Sequence, residues 1–108
     1  MTTEIKTKDE FLDEGKQLFG PDYMNWKFIC PACGHIASFE DYKKVHAPVE
    51  AVGFNCIGRY LKYSREAFGS GPGPCNYTSG GLIRISPINI EGSYYFDFAR
   101  PDQKTNPQ

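Results

Sequence analysis

The chain has 108 residues, which is enough for one domain with a single core and too few for two. Hydrophobic residues make up 40% of it and charged residues 23%, which excludes collagen-like and fully disordered proteins. It contains no apolar run of about 18 residues and no apolar stretch behind its first residues. We therefore expect neither a membrane-spanning helix nor a secretory signal peptide.

The net charge of −1 is unevenly distributed along the chain. Residues 1–25 sum to −3, residues 26–90 to +3 and residues 91–108 to −1. A nucleic-acid-binding protein usually has a larger surplus of basic residues. The balance disfavours nucleic acid as the partner but leaves it possible.

The first half of the chain predicts two helices and a strand pair. A capping box at Thr7 and Glu10 and apolar residues at helical spacing predict an amphipathic helix over 7–19, ended by Gly20. Residues 26–29 and 35–39 predict strands on either side of a turn. A short helix over 40–46 follows them.

The second half contains more loop. Residues 49–57 weakly predict a strand, and a helix is favoured from residue 60 to 68. Residues 69–81 form a loop rich in Gly and Pro, with Cys75 as its anchor. Residues 82–90 and 94–98 predict strands joined by a hairpin turn at 91–93.

These elements predict a small α+β domain centred on zinc, with a short antiparallel sheet, an N-terminal helix and a C-terminal β-hairpin. We divide the chain into an acidic helix and linker at 1–25, a four-cysteine domain at 26–99 and a flexible tail at 100–108.

The motif Cys30-Pro31-Ala32-Cys33-Gly34 is the strongest pointer to chemistry. Two cysteines separated by two residues place both sulfurs on one zinc ion, and Gly34 permits the positive φ that turns backbone N–H groups toward the sulfurs. A redox Cys-x-x-Cys and a pair of free buried thiols are the alternatives. The redox alternative is disfavoured because no βαβ unit follows the motif.

A structural zinc needs four ligands, and Cys56 and Cys75 are the remaining thiols. There are 22 residues between Cys33 and Cys56 and 18 between Cys56 and Cys75, so the second pair is not a second knuckle. The pattern is zinc-ribbon-like without being a regular two-knuckle ribbon. A mixed set that includes His35 or His46 remains an alternative, as does a chain without metal.

Basic and aromatic residues alternate in the segment after Cys56. On a helix, Arg59, Lys62 and Arg65 would share one face, since residues three or four apart are neighbours. We predict that Arg59 and Gly34 support the metal site, and that Lys62, Tyr63 and Arg65 face solvent or a partner.

Other chemistry has weaker support in the sequence. The loop at 69–81 lacks the Lys-Ser/Thr that follows a phosphate-binding loop, and its prolines remove N–H donors. Cys75 and His46 could form a nucleophile and base, but zinc accounts for Cys75 more simply. We predict no catalytic residues, and a small enzyme that uses a cysteine or this loop stays an alternative.

The chain contains three motifs in order: Cys30-Pro31-Ala32-Cys33-Gly34, then Cys56-Ile57-Gly58-Arg59, then Cys75 followed by Gly80-Gly81-Leu82. In the order of these motifs, the chain resembles a family of small uncharacterised proteins encoded by phages and prophages. The similarity runs from residue 26 to 98 and does not include the acidic helix. It implies one structural zinc bound by Cys30, Cys33, Cys56 and Cys75, and a viral or mobile-element setting. It implies no reaction.

From these observations we expect a non-enzymatic, zinc-stabilised protein that docks on a host protein in the host cytoplasm, as a candidate inhibitor of a defence system. Many Tyr and Phe residues and near-neutral charge favour a protein partner. A zinc module that binds nucleic acid is the alternative. We expect no membrane partner and no small-molecule substrate.

Overall fold

The computed structural model describes residues 4–62, 64–69, 73–81, 83 and 85–100. Its strands are β1 (Glu4–Lys6), β2 (Lys27–Ile29), β3 (Ile36–Ser38), β4 (Ile88–Ile90), β5 (Ser93–Tyr95) and β6 (Asp97–Phe98). Its helices are α1 (Lys8–Phe19) and α2 (Phe39–Lys44), and single turns of 3₁₀ helix lie at Tyr23–Asn25, Val49–Ala51 and Ile57–Tyr60. The predicted α+β class is confirmed.

Helix α1 begins and ends as the sequence predicts. The Thr7 hydroxyl accepts a hydrogen bond from the Glu10 N–H at 3.1 Å, and the Glu10 carboxylate accepts one from the Thr7 N–H at 2.8 Å. Gly20 ends the helix at a φ of 90°. The Phe11 ring stacks on Phe98 with 4.4 Å between centroids, so the apolar stripe of α1 faces the core.

One three-stranded sheet has the order β1-β4-β5. Strands β4 and β5 form the predicted C-terminal hairpin, which turns at Glu91 and Gly92 with φ values of 52° and 90°. Strand β1 pairs with β4 in parallel and was not predicted. It is three residues long and its Ile5 is 82% exposed, so the local sequence contains no pattern of burial that would reveal it.

The second sheet has the order β3-β2-β6. Strands β2 and β3 are the predicted antiparallel pair, and the Cys30–Cys33 turn joins them. Helix α2 follows directly, with Ser38 and Asp41 forming a second capping box. The strand predicted over 94–98 divides at Phe96, whose N–H donates to the Gly53 carbonyl at 2.7 Å. Tyr95 therefore ends one sheet and Phe98 belongs to the other.

Three of the predicted elements need correction. The strand predicted over 49–57 is a 3₁₀ turn followed by further turns, and Asn55 forms only an isolated bridge with Thr78. The strand predicted over 82–90 is confined to Ile88–Ile90, and residues 82 and 84 lie outside the described residues. The helix predicted over 60–68 is absent from the described part of that segment. The 3₁₀ helix Ile57–Tyr60 ends where the predicted helix would begin, and the chain then bends.

The core joins the helix, the sheets and the cysteines. All four cysteines belong to one buried cluster with Trp26, Phe28, Phe96 and Phe98, and apolar side chains of α1 pack against that cluster. Helix α1 thus packs on the core that contains the cysteines. The division of the chain into a helix and linker at 1–25 and a four-cysteine domain at 26–99 stays a prediction.

The polar side of α1 is tied to both ends of the described chain. Glu14 pairs with Lys6 and, at 2.9 Å, with Arg100. The flexible tail predicted at 100–108 lies, beyond Arg100, outside the described residues. Among the described residues, no helix has the length and apolar character needed to cross a membrane.

Candidate metal centre

Cys30 and Cys33 lie in the turn between β2 and β3. The Cys30 N–H donates to the His35 carbonyl at 3.0 Å, and the Gly34 N–H donates to the Cys30 carbonyl at 2.8 Å. Gly34 has a φ of 77°, and the His35 N–H donates to the Cys33 sulfur at 3.4 Å. The predicted knuckle geometry is confirmed in both respects, the positive φ and the N–H directed at sulfur.

Cys56 and Cys75 come from irregular segments that bind each other. The Cys56 N–H donates to the Tyr77 carbonyl at 2.9 Å, and the Tyr77 N–H donates to the Cys75 sulfur at 3.4 Å. Cys56 starts the 3₁₀ helix at Ile57–Tyr60. Each segment therefore presents its cysteine through a local turn, and the backbone bond between the segments fixes their separation.

The four sulfurs lie together inside the protein. All of them fall within 4.8 Å of one another, with 3.8 Å between Cys30 and Cys75 and 3.7 Å between Cys33 and Cys56. A zinc ion bound tetrahedrally at about 2.3 Å to each sulfur would place neighbouring sulfurs about 3.8 Å apart. The measured pairs agree with that spacing, and each cysteine is at most 3% exposed.

The thiols perturb one another strongly because they share hydrogen bonds. A hydrogen bond from the Cys30 S–H lowers the pKa of Cys33. The Cys30 S–H also lowers the pKa of Cys75 to about 7, together with other contacts that include the Tyr77 N–H. The hydrogen bond with Cys33 in turn raises the pKa of Cys30. Some of the thiolates are thus stabilised at the expense of their neighbours, and ionising all four at this separation requires a cation between them.

The histidines are not part of this cluster. Among the described residues, the four cysteines form the only group of Cys, His, Asp and Glu that converges in this way. His35 contributes its backbone N–H to Cys33, and His46 is exposed on the turn after α2. The geometry favours four sulfurs over a mixed Cys/His set.

The predicted supporting residues lie near the sulfurs in different ways. Gly34 forms the knuckle turn. The exposed Arg59 donates to the carbonyl of Asn76, the residue after Cys75, at 2.7 Å. Their importance for metal binding stays a prediction.

Arg59, Lys62 and Arg65 do not share a helix face, because the described part of residues 60–68 forms no α-helix. Arg65 donates to the carbonyls of Gly69 at 2.6 Å and Gly73 at 3.3 Å. Lys62 is exposed, and Tyr63 lies outside the described residues. Their contact with a partner stays a prediction.

Gly58 is a residue of the site that the sequence analysis did not single out. A Cβ atom on Gly58 would lie 2.1 Å from the Cys75 carbonyl oxygen and 2.9 Å from the Pro74 carbonyl carbon. The two cysteine segments therefore touch through a position that only glycine fits. Its place two residues after Cys56 is the one pointer to this role that the sequence contains.

The comparison with protein families gives one match that covers most of the chain. A family model described as VVA0879-like matches residues 7–99. The chain belongs to the VVA0879-like family. That family is uncharacterised, and the match includes α1 as well as all four cysteines. No curated protein and no solved structure matches the chain.

We predict that Gly58→Ala prevents assembly of the metal centre. The added methyl group meets rigid backbone, so the Cys56 and Cys75 segments must separate. Zinc content by mass spectrometry and the melting temperature should both fall well below those of the wild type. Gly69→Ala is the matched control, because its Cβ would make only ordinary contacts at 3.6 Å. Normal zinc content in Gly58→Ala would contradict the close packing of the two segments.

Proposed function

We propose that the protein is a non-enzymatic binding protein whose fold depends on one structural zinc ion held by Cys30, Cys33, Cys56 and Cys75. The convergence of four buried sulfurs within 4.8 Å of one another, with two pairs at the spacing of a tetrahedral zinc site, is the observation that supports this best. Thiolates are preferred zinc ligands, and the backbone N–H groups of His35 and Tyr77, which donate to the Cys33 and Cys75 sulfurs, would offset part of their charge.

A structural role for the zinc follows from the completeness of its ligand set. A catalytic zinc keeps a coordination position for water or substrate, whereas four thiolates fill a tetrahedral shell. The sulfurs also join segments from positions 30–33, 56 and 75, two of which lack regular strands. Metal binding would therefore supply part of the folding free energy.

We predict that the purified protein holds about one zinc per chain and that Cys30→Ser releases it. The variant should melt at a much lower temperature because the metal no longer joins the three segments. His35→Ala is the matched control, since only its backbone contacts a cysteine sulfur. Zinc retained in Cys30→Ser, or lost in His35→Ala, would contradict a site of four cysteines.

We further propose that the protein docks on a host protein in a phage or mobile-element setting, in the host cytoplasm, as an inhibitor of a defence system. The setting rests on the resemblance of the cysteine pattern to phage proteins. A surface suited to docking is the Phe68–Ile83 patch, defined by these two side chains, each 58% exposed. Both border one open cleft.

The Phe68–Ile83 patch is connected to the metal centre. The Phe68 ring lies edge-on to Tyr77, with 6.0 Å between centroids, and the Tyr77 hydroxyl donates to the Ile83 carbonyl at 2.9 Å. The Tyr77 N–H in turn donates to the Cys75 sulfur. Zinc binding would therefore hold the patch in shape.

We predict that the patch captures a host protein. Zinc-loaded wild type should retain a partner from host lysate, and Phe68→Asp should retain at least about tenfold less because a charge interrupts the apolar contact. Tyr23→Asp is the control, since Tyr23 is also an exposed ring (45%) but borders a different cleft.

Equal capture by Phe68→Asp and the wild type would contradict docking through this patch. Capture of DNA or RNA that disappears with added salt would instead indicate a nucleic-acid partner.

A further inference from the structure

We propose that the cleft between α1 and the β4–β5 hairpin binds a small aromatic molecule without net charge. This site, called the α1–hairpin cleft, lies on different residues from the Phe68–Ile83 patch and does not depend on the proposed docking. It departs from the expectation, drawn from the sequence, that the protein takes no small molecule.

The cleft is a concave site with a buried floor. It has a volume of about 540 Å³, within the range of roughly 300–1,000 Å³ typical of ligand pockets. Its floor includes Trp26 and Phe28, which are 2% and 6% exposed, and its rim includes Tyr23 and Val49, which are 45% and 64% exposed. Side-chain exposure rises from the floor to the rim, so the cleft has depth.

Aromatic rings form a large part of the wall. Six rings border the cleft: Phe11, Tyr23, Trp26, Phe28, Phe39 and Tyr95. Tyr23 and Trp26 form one pair, with 4.6 Å between centroids, and Phe11 and Tyr95 form another at 6.4 Å. Rings prefer offset or edge-to-face contact with other rings, so these walls suit a planar aromatic ligand better than a saturated one.

Three of the residues that line the cleft carry a hydroxyl group: Tyr23, Ser93 and Tyr95. Within the described part of the chain, none of these hydroxyls hydrogen-bonds a protein group. The Trp26 indole N–H, in contrast, donates to the Gly20 carbonyl at 2.9 Å. A ligand with one or two polar atoms would therefore find donors and acceptors in these hydroxyls.

The charges at the cleft cancel. Lys8 and Glu91 both border it, and neither forms an ion pair with another described residue. An anionic ligand would be attracted by one and repelled by the other, and a cation would meet the reverse. A neutral molecule avoids this conflict.

Nuclear magnetic resonance with matched probes tests the proposal. The zinc-loaded full chain is titrated with naphthol, with its saturated counterpart decalol, with naphthoate and with naphthylmethylammonium. We expect saturable shifts for naphthol at amides of the cleft, with a dissociation constant on the order of 1 mM or tighter. Decalol and both ions should bind at least about fivefold more weakly.

Variants locate the binding. Tyr23→Ala should weaken naphthol binding about fivefold because one wall of the cleft loses its ring. Tyr23→Leu serves as a second test if the alanine variant does not fold. Phe68→Ala removes a ring that is more exposed than Tyr23 but lies at the other cleft, and it should leave naphthol affinity unchanged.

Several results would overturn the proposal. They are absence of naphthol binding at several millimolar, equal binding of decalol, and shifts confined to the Phe68–Ile83 side. Tighter binding of either ion than of naphthol would overturn the neutral ligand class. None of these results bears on docking through the Phe68–Ile83 patch, so the two proposals fail independently.

Discussion

Four thiolates packed this closely would repel one another, and the need for a cation to relieve that repulsion is the constraint on which the rest of this structure depends. The sulfurs of Cys30, Cys33, Cys56 and Cys75 lie within 4.8 Å of one another in the interior. Without a cation, hydrogen bonds among the thiols let one ionise only at the cost of others. A divalent metal would convert this unfavourable cluster into the strongest cross-link in the chain.

Such a cross-link would explain why so small a protein contains so much loop. Its strands have two or three residues, and Gly and Pro together make up 19 of its 108 residues. Short strands and one main helix bury little apolar surface against the entropy of the chain. The cysteine segments are instead held by N–H···S bonds, by the Cys56–Tyr77 backbone bond and by the contact at Gly58. Both the Phe68–Ile83 patch and the α1–hairpin cleft are built on this core, through Tyr77 and through Trp26 and Phe28 respectively.

Local chemistry made part of the fold predictable from the sequence. The capping boxes at Thr7 and Ser38, the knuckle with Gly34 and the hairpin at Glu91 all depend on residues within a few positions of one another.

Elsewhere, long-range contacts determine the structure, and the local sequence pattern predicted it wrongly or not at all. Residues 60–68 have helical spacing, but Arg65 pairs with Cys75 and draws the chain out of a helix. Strand β1 exists only because β4 lies beside it, and the alternation over 94–98 conceals a change of sheet at Phe96. The cysteines were predicted as ligands by type and spacing, whereas the fit of Gly58 against Cys75 needs the three-dimensional structure.

X-ray absorption spectroscopy at the zinc edge of the purified protein tests the central claim most directly. The account predicts a first shell of four sulfur atoms at about 2.3 Å from the metal, without nitrogen or oxygen ligands. A shell that contains imidazole nitrogen or water oxygen in place of one or more sulfurs, or reduced and folded protein without zinc, would contradict it.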